Sequence, residues 1–441
     1  MREQIHFVPM EQIGGNRIVQ PKELPKRNIS IRGVVEVFTG GYSPMQIRRA
    51  VLDRLHPKEQ FNAQGILHGE QAFVGPDEVH IDLTNMCPNK CIGCWCRSPL
   101  LEELTMGEDV VRMSLPMPMV RRLIRDLAKL RCKSIKLIGG GEPFYYPHIM
   151  EVVRLIKKSG IDCKINTAVN LINPKQAIEL VDLGVDLMDL SVWASNPEIY
   201  ELTHLETPGK VFHKVAKTIL AINEYKRKIG RKNPQTRVYN VILSHNYKDI
   251  IPQIELAIRL KADMVQFNFL DPIPGKTEHL LLNEEQRLEL CLILEQVRMR
   301  LVKDLGGENQ LYVSNTGRIK VHAFNMFYRR AQERGVSTGE YDKGISRCFV
   351  GWLFCRVMAN GDVIPCLKSH RIPIGNLFTH PFPKIWNDQK AKEFRQMGRS
   401  IWKNQDYFKQ VGNDPKRVGC WLTCDNVWQN ELAEGWVKGK I

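Results

Sequence analysis

The chain has 441 residues, of which 43% are hydrophobic and 25% are charged, as in ordinary globular proteins with an ample core. This length predicts two or three structural units rather than one small domain. No stretch approaches the roughly 20 apolar residues that a membrane-spanning helix needs. The first residues, MREQIHFVPMEQIGG, mix both charges and contain no apolar signal-peptide core. We therefore expect a cytoplasmic protein.

The formal net charge is +15. Such an excess favours an acidic partner, for example a phosphorylated sugar, an acidic peptide, nucleic acid or a lipid head group, because a positive surface attracts anions. A solvated basic surface explains the charge equally well. The basic residues are spread along the chain and form no RNA-binding motif, so we do not expect nucleic acid as the partner.

A regular alternation of short β-rich runs and amphipathic helical stretches begins at Val79. Six strand–helix units in series predict a parallel sheet with right-handed crossovers, and in a barrel of this kind functional groups collect at the carboxyl ends of the strands. Helices are predicted near 148–159, 174–184, 209–228, 248–260 and 284–303. The predicted strands are Val79–Thr84, Ser134–Ile138, Ile161–Thr167, Leu187–Trp193, Arg237–Leu243 and Met264–Leu270.

The rest of the chain is predicted to flank this α/β unit. Residues 1–78 form an N-terminal extension, in which Ile31–Phe38 has the pattern of a strand and Pro44–Leu55 that of a helix. The alternation is expected to stop near 305. We therefore divide the chain into the extension, an α/β unit at 79–305, a connector at 306–347 and a small cysteine-rich unit at 348–441.

The cysteines indicate metal chemistry. The chain has twelve, and without an export signal they are not expected to form disulfides. Cys87, Cys91 and Cys94 follow the first strand in a C-x3-C-x2-C pattern. Three thiolates on one loop leave one iron of a [4Fe–4S] cubane without a protein ligand, since such a cluster normally takes four. The alternative is a zinc site that Cys96 completes.

A second motif ends the second strand, where Gly140 and Gly141 are followed by Glu142 and a proline. Glycines allow a ligand to approach the backbone closely. A carboxylate beside them can accept hydrogen bonds from an ammonium group.

Taken together, the cysteine loop and the G-G-E-P strand end resemble the radical S-adenosylmethionine (SAM) superfamily. The resemblance implies a partial (β/α)6 barrel in which SAM chelates the open iron, Gly140, Gly141 and Glu142 contact SAM, and Ser191 contacts its ribose. One position departs from the family pattern. The family usually has an aromatic residue immediately before the third cysteine, whereas this chain has Gly93 there.

The C-terminal region contains a second group of five cysteines. Asn360-Gly361-Asp362 between β-formers predicts a hairpin, and cysteines flanking a hairpin could form a four-ligand cage for iron–sulfur or for structural zinc. The order of cysteines and glycine resembles the SPASM and twitch extensions of radical SAM enzymes. The chain lacks the further central cysteines of the full SPASM form, so it resembles the shorter twitch type. The resemblance implies an auxiliary-cluster domain with one auxiliary [4Fe–4S] cluster, and Cys355 either replaces one of its ligands or is a buried thiol. The implied ligands are Cys348, Cys366, Cys420 and Cys424.

These assignments imply an enzyme that cleaves SAM reductively to a 5′-deoxyadenosyl radical. The radical would abstract hydrogen from an unactivated C–H bond of a peptide or protein, or of a carbohydrate, and the substrate is expected to be acidic or phosphorylated. The electron would come from a donor such as flavodoxin or ferredoxin. The alternative is a non-catalytic iron–sulfur or zinc-binding protein. No residue is assigned as a catalytic acid or base.

Overall fold

The structure is a computed structural model that describes residues 57–104, 106–303, 310–333, 346–412, 420 and 424–438. The strand predicted at Ile31–Phe38 and the helix predicted at Pro44–Leu55 lie outside these ranges. Within them, no helix is both long and apolar enough to cross a membrane.

The helices and strands are numbered in chain order. The strands are β1 (Glu78–Asp82), β2 (Lys90–Cys91), β3 (Ser134–Ile138), β4 (Asp162–Thr167), β5 (Leu187–Ser191), β6 (His204–Leu205), β7 (Gln235–Ile242), β8 (Met264–Phe269), β9 (Leu301–Lys303), β10 (Gln310–Ser314), β11 (Gly317–His322), β12 (Phe354–Val357), β13 (Asp362–Ile364) and β14 (Gly375–Asn376). The α-helices are α1 (Pro57–His68), α2 (Glu108–Val111), α3 (Met117–Lys129), α4 (Ile149–Lys158), α5 (Pro174–Asp182), α6 (Pro197–Thr203), α7 (Lys210–Lys228), α8 (Ile250–Arg259), α9 (Glu284–Met299), α10 (Phe324–Gln332), α11 (Val350–Leu353), α12 (Phe382–Trp386), α13 (Gln389–Gly398), α14 (Gln405–Phe408) and α15 (Val427–Lys438). Short 3-10 helices occupy Pro99–Leu104, Pro143–Tyr145, Tyr247–Asp249, Glu278–Leu280 and Ile401–Asn404.

The central sheet confirms the predicted α/β fold. The six predicted strands are β1, β3, β4, β5, β7 and β8, which lie side by side in that order and pair in parallel. Two further parallel strands flank them, because β12 pairs with β1 and β11 pairs with β8. The predicted set of six is thus the centre of a run of eight parallel strands. The full order is β14-β13-β12-β1-β3-β4-β5-β7-β8-β11-β10-β9.

Regular secondary structure continues beyond residue 305. Residues 310–322, predicted to belong to a connector, form the antiparallel pair β10–β11, and α10 follows. The pair is stable in this place because Tyr312, Ile319 and Val321 are buried. The helix predicted at 284–303 also ends earlier, at Met299, since the next residues form β9 on the edge of the same sheet.

One face of the sheet is covered by the crossover helices. The apolar stripe of α3 is buried, with Val120, Leu123 and Leu127 at most 1% exposed. It packs in one core with Val79 and Ile81 of β1. Each fully buried side chain of this size contributes about 1.5–3 kcal/mol to folding.

The opposite face of the strands is polar. His80, Lys136 and Lys164 are register partners across β1, β3 and β4, and Asp189 and Arg237 are partners across β5 and β7. Partners in a parallel sheet point to the same side, so these charged groups share the interior of the barrel.

The C-terminal region continues the barrel sheet. As predicted, Asn360-Gly361 forms the turn of a hairpin in which Arg356 pairs with Ile364, and Gly361 has a φ of 83°. The chain passes from β11 at one side of the parallel strands to β12 at the other. The division predicted between the barrel and the cysteine-rich unit therefore does not coincide with a break in the sheet.

A buried arginine organises the far side of this region. Arg395 is 1% exposed and donates to the carbonyls of Gly351, Glu70 and Trp386. Its guanidinium carbon lies 4.8 Å from the ring centre of Trp386 and 5.8 Å from that of Trp352. Carbonyl oxygens and aromatic faces thus satisfy a cation that burial alone would disfavour.

Candidate functional site

The first cysteine group lies on the loop that follows β1, at the carboxyl edge of the sheet. Cys91 is in the two-residue strand β2 and pairs with His204 of β6. The turn to the third cysteine is closed by a hydrogen bond from the Cys94 amide to the Cys91 carbonyl (3.1 Å), and the Asn89 amide donates to the sulfur of Cys87 (3.4 Å). The loop therefore holds the three sulfurs in a small volume.

The three thiols interact electrostatically. Burial raises the pKa of Cys91, and the neighbouring Cys94 and Cys87 raise it further. Burial also raises the pKa of Cys87 to about 12. The pKa of Cys94 is lowered to about 7, mainly because the thiol of Cys96 donates a hydrogen bond to it. A bound metal offsets the free-energy cost of deprotonating these buried thiols, because it holds the sulfurs as thiolates.

Cys96 lies in a different environment from the three loop cysteines. Its sulfur lies 3.6 Å from that of Cys94 and 3.3 Å from the carbonyl oxygen of Gly140. Within the described ranges no three His, Cys, Asp or Glu side chains converge on one ion position. The four-thiolate zinc site considered from the sequence is therefore not assembled around Cys96. A cubane cluster does not require such close convergence, because its ligating sulfurs lie further apart than those around a single ion.

The glycines of the second motif allow two backbone segments to touch. A Cβ on Gly141 would lie 2.3 Å from the carbonyl oxygen of Met86, and one on Gly140 would lie 2.4 Å from the side-chain oxygen of Asn85. The Glu142 amide donates to the same Met86 carbonyl at 2.9 Å. Glycine is required at both positions because the cysteine loop packs directly against them, whether or not a ligand is bound.

Glu142 is a rigidly held buried carboxylate, 3% exposed. It accepts hydrogen bonds from the Thr167 hydroxyl (2.5 Å), the Ala168 amide (2.8 Å) and the Phe144 amide (3.3 Å). Burial raises its pKa although these bonds oppose the shift. A carboxylate has about four acceptor positions, so one remains for a further donor such as an ammonium group.

Ser191 is the last residue of β5 and the register partner of Tyr239 in β7. It therefore lies at the same edge of the sheet as the cysteine loop and Glu142. Two residues later the chain turns at Trp193, which has a φ of 60°. The Trp193 amide donates to the side chain of Asn240, and its carbonyl accepts from that of Asn246. These bonds stabilise a left-handed conformation that is uncommon for a bulky residue.

The space next to Gly93 is already filled. A Cβ there would lie 2.6 Å from Leu270 and 3.7 Å from the ring of Trp193. A larger aromatic side chain, which the family usually has at this position, would collide with Leu270. Trp95 does not replace it, because Trp95 packs on the guanidinium of Arg356 at 5.0 Å.

Several buried polar atoms around the cysteine loop have no hydrogen-bond partner among the described residues. Asn170 donates to Asn89 at 2.6 Å, yet the remaining donor of Asn89 and acceptor of Asn170 are unpaired, as are the indole N–H of Trp193 and the hydroxyl of Tyr200. Each unpaired buried group costs about 1–3 kcal/mol. With three adjacent thiols and a carboxylate that can accept one more bond, these atoms fit a site for a [4Fe–4S] cluster and a polar cosubstrate.

The second cysteine group surrounds a separate cavity. Cys348, Cys366, Cys420 and Cys424 line one pocket, together with apolar side chains such as Phe394. Burial raises the pKa of Cys348, and the three other cysteines raise it further. The four thiols thus face a common, largely apolar space, which fits a four-cysteine cluster.

The position of Cys355 distinguishes between the two alternatives left by the sequence. Its side chain is 0% exposed. It belongs to β12, where it pairs with Val79, and packs in the main apolar core. It is absent from the lining of the four-cysteine cavity. Cys355 is therefore a buried thiol in this structure.

A polar pocket lies in the barrel interior and extends to the second cysteine group. The strands contribute His80, Lys136, Lys164 and Arg237 to its lining. The C-terminal region contributes six further residues, two of which are the chain neighbours of cysteines that line the four-cysteine cavity. These six are Phe354, Leu367, Asp425, Asn426, Trp428 and Gln429.

The lining residues of this pocket were missed in the sequence, although a signal was present. Strands buried on both faces of a parallel sheet are normally near-continuous apolar runs. Lys136 in the centre of β3, Lys164 in β4 and Arg237 in β7 interrupt these runs. Charges at inward positions of several adjacent strands indicate a polar interior.

Comparison with known families decides between the remaining interpretations. Residues 81–257 match the Radical SAM superfamily, and residues 348–421 match SPASM, an iron–sulfur cluster-binding domain. The chain belongs to the radical SAM superfamily. It is an enzyme of this superfamily with a SPASM extension, and its cofactors are a [4Fe–4S] cluster, SAM and auxiliary iron–sulfur. The alternative of a non-catalytic binding protein is not supported.

Individual relatives are distant. The chain is 26% identical over 198 residues to a tungsten-containing aldehyde ferredoxin oxidoreductase cofactor-modifying protein of Pyrococcus furiosus, a match that covers 44% of this radical SAM enzyme and about half (52%) of that relative. It is 24% identical over 328 residues to an AdoMet-dependent heme synthase of Methanosarcina barkeri, covering 73% of this chain and 84% of the relative. Streptococcus suis SuiB bound to SAM has the same fold, with a TM-score of 0.53, 18% identity and coverage of 82% of this chain and 78% of SuiB.

Proposed function

We propose that this radical SAM enzyme abstracts a hydrogen atom from an unactivated C–H bond of an acidic substrate bound in the barrel interior. The substrate class is an acidic peptide or protein side chain, or a phosphorylated carbohydrate. The observation that carries this proposal is the polar pocket, which contains three strand-borne cations and adjoins the second cysteine group.

In this proposal the residues of the carboxyl edge hold the cofactors. Cys87, Cys91 and Cys94 ligate the SAM-binding cluster, Glu142 accepts the amino group of SAM beside Gly140 and Gly141, and Ser191 contacts the ribose. The cluster and SAM together supply the 5′-deoxyadenosyl radical once a donor such as flavodoxin or ferredoxin provides an electron. The auxiliary cluster is ligated by Cys348, Cys366, Cys420 and Cys424.

The cations of the pocket are held in place by two acids, of which Asp189 is buried and Glu78 is partly buried. Asp189 forms ion pairs with Lys136 at 2.7 Å and with Arg237 at 2.6 Å, and Glu78 pairs with Lys164. Burial alone would raise the pKa of Asp189, but Lys136 and Arg237 lower it, so the acid stays ionised. Asp425, which also lines the pocket, pairs with Lys368. The strand wall alone thus sets three cations against two carboxylates, and this wall favours an added anion.

His80 adds a neutral donor or acceptor to the same wall. Burial lowers its pKa to about 4, although its hydrogen bond to Glu78 opposes the shift. The 2.9 Å contact between the two is therefore a hydrogen bond of a neutral imidazole rather than an ion pair at neutral pH. The other ring nitrogen, Nδ1, is buried and has no partner among the described residues, so it is available to a substrate group.

The names of the relatives are compatible with an anionic substrate. A GTP 3′,8-cyclase of Chlorobaculum tepidum is 32% identical over 117 residues, covering 26% of this chain and 32% of the relative. Its name indicates a nucleoside triphosphate as substrate. SuiB has also been crystallised with its precursor peptide, with a TM-score of 0.54 to this chain at 17% identity, covering 76% of this chain and 69% of SuiB. A phosphorylated compound and a peptide are thus both named for proteins that this chain resembles.

The test is anaerobic reconstitution followed by assays with dithionite and SAM. We expect about eight irons per chain, for two clusters, and slow formation of 5′-deoxyadenosine. Panels of acidic peptides and of sugar phosphates should contain a compound that accelerates this formation and is itself modified. Neutral analogues of that compound should have no effect.

Substitutions separate the pocket from the cofactor site. Lys136→Met and Arg237→Met should raise the KM for the accelerating compound about tenfold or more, while the slow cleavage of SAM without substrate is kept. Lys261→Met is the matched control, because Lys261 forms an exposed pair with Glu224. Unchanged KM values in both pocket variants would contradict the assignment of the pocket to substrate.

A further inference from the structure

Tyr200 lies against the strand that pairs with the cysteine loop. It belongs to α6, directly before β6, and its ring stacks on the imidazole of His204 with a centroid distance of 4.1 Å and an interplanar angle of 12°. His204 is the register partner of Cys91. Only His204 thus separates the ring of Tyr200, in the chain of contacts, from Cys91, a proposed ligand of the SAM-binding cluster.

The hydroxyl of Tyr200 is buried without a partner. The residue is 0% exposed, and its oxygen has no hydrogen bond to any described residue. The neighbouring ring of Phe212, 5.8 Å away, offers no acceptor. An unpaired buried hydroxyl costs about 1–3 kcal/mol. Its presence among well-packed side chains therefore indicates an acceptor that the protein chain does not supply.

The ionisable groups that influence this hydroxyl belong to the cysteine loop and the glycine motif. Burial raises the pKa of Tyr200, and the charges of Cys91, Cys87 and Glu142 raise it further. Glu142 takes its hydrogen bonds from other donors. His204 directs its Nδ1 to the backbone carbonyl of Tyr200. The other two groups that influence the hydroxyl are the sulfurs of Cys91 and Cys87.

We propose that the Tyr200 hydroxyl donates a hydrogen bond to a sulfur of the cluster held by Cys87, Cys91 and Cys94, and that this bond raises the reduction potential of the cluster. The inference rests on the ligands assigned under the proposed function. A hydrogen bond to a cluster sulfur favours the reduced state, because that state carries one more negative charge. Tyr200 is a positioning and tuning residue in this account and does not touch the substrate.

The test is Tyr200→Phe, which removes only the oxygen. The reconstituted full-length protein is titrated anaerobically with dithionite and followed by electron paramagnetic resonance in the absence of SAM. The signal of the first cluster is identified separately as the one that changes when SAM is added. Tyr225→Phe is the matched control, because the Tyr225 hydroxyl bonds to Asp182 on the exposed surface.

We expect Tyr200→Phe to keep the full iron content and to shift the potential of the first cluster to a more negative value, with the second cluster unchanged. Tyr225→Phe should shift neither. If Tyr200→Phe loses iron, site-specific 3-fluorotyrosine at position 200, a stronger donor, should shift the potential to a more positive value instead.

Two results would overturn the inference while leaving the proposed function intact. One is a first cluster whose potential is the same with and without the hydroxyl. The other is a shift that occurs only with SAM present, which would direct the hydroxyl to SAM. A wild-type protein that assembles no first cluster would overturn both the inference and the ligand assignment.

Discussion

Asp82 and Arg356 form a bidentate ion pair in the interior, with Nε–Oδ1 and Nη2–Oδ2 distances of 2.9 and 2.7 Å. They are 1% and 6% exposed and lie 274 residues apart. Asp82 ends β1 and also accepts from the Gly140 amide at 3.3 Å. The pair therefore joins the strand before the cysteine loop, the glycine motif and the first strand of the cysteine-rich region.

Breaking this pair should be costly. Arg356→Met leaves the Asp82 carboxylate buried without its cation, and we expect a loss of about 3–5 kcal/mol in the free energy of unfolding, measured by urea denaturation. The control is Arg121→Met, whose partner Glu151 is on the exposed surface, and which should cost under about 1 kcal/mol. Equal losses in the two variants would contradict the buried role, whereas partial recovery in the double variant Asp82→Leu, Arg356→Met would support it.

The six central strands were predictable because each is followed by a long amphipathic helix, and two periods of hydrophobicity alternate clearly. The flanking strands β11 and β12 were not predicted as members of the sheet. β12 has four residues, and its partner β1 lies some 270 residues earlier in the chain. Local patterns contain no information on such a distant pairing, and only the packed structure shows that Arg356 and Asp82 meet.

Gly141 should be intolerant of any side chain. A Cβ would meet the Met86 carbonyl at 2.3 Å and would force the cysteine loop away from β3. We expect Gly141→Ala to lower the iron content from about eight to about four per chain, because only the auxiliary cluster remains. The measurement is a colorimetric iron assay after anaerobic reconstitution.

The matched control for this variant is Gly107→Ala. A Cβ at Gly107 meets the flexible side chain of Asp109 at 3.0 Å and no backbone. Full iron content is expected there. A Gly141→Ala protein with eight irons and normal SAM binding would show that the contact between the strand end and the loop is not needed.

The cysteines of the C-terminal region should divide into two classes. Cys366→Ala removes a sulfur from the four-cysteine cavity and should lose about four irons per chain. Cys355→Ala should keep about eight irons and lose some stability, since it leaves a small cavity in the core. Iron analysis with urea denaturation distinguishes the two. The reverse pattern would exchange their roles.

The candidate site was partly predictable. The spacing of Cys87, Cys91 and Cys94 and the motif at Glu142 are local, so the sequence displays them directly. The hydrogen bond from Thr167 to Glu142 and the stacking of Tyr200 on His204 depend on how strands and a short helix are placed around the edge of the sheet. No residue spacing along the chain encodes these contacts.

Stability should depend on pH through buried histidines. Burial lowers the pKa of His80 to about 4 in the folded state, against about 6.5 in the unfolded chain. Between these values the unfolded chain binds the proton and the folded protein does not. The free energy of unfolding should therefore fall as pH is lowered from about 6.5 to about 4, by about 3 kcal/mol for this residue.

His80→Gln removes this titration and keeps a donor for Glu78, so it should reduce the slope of unfolding free energy against pH by up to one proton. The slope should not vanish, because His204, His322 and His370 also have pKa values lowered to about 4 by burial. His213→Gln, at an exposed position, should leave the slope unchanged. Urea denaturation at a series of pH values measures all three proteins, and parallel slopes for wild type and His80→Gln would contradict the prediction.

The ligation of the first cluster by Cys87, Cys91 and Cys94 is tested most directly by the yield of 5′-deoxyadenosine from SAM. This yield is measured in anaerobically reconstituted, dithionite-reduced protein and compared between Cys91→Ala and Cys96→Ala. If three sulfurs hold the cluster and one iron stays open for SAM, the Cys91→Ala protein should form none, and the Cys96→Ala protein should retain cleavage within about threefold of wild type, a change of under about 1 kcal/mol in barrier. Cleavage that survives in Cys91→Ala but is abolished in Cys96→Ala would contradict the assignment of the ligands.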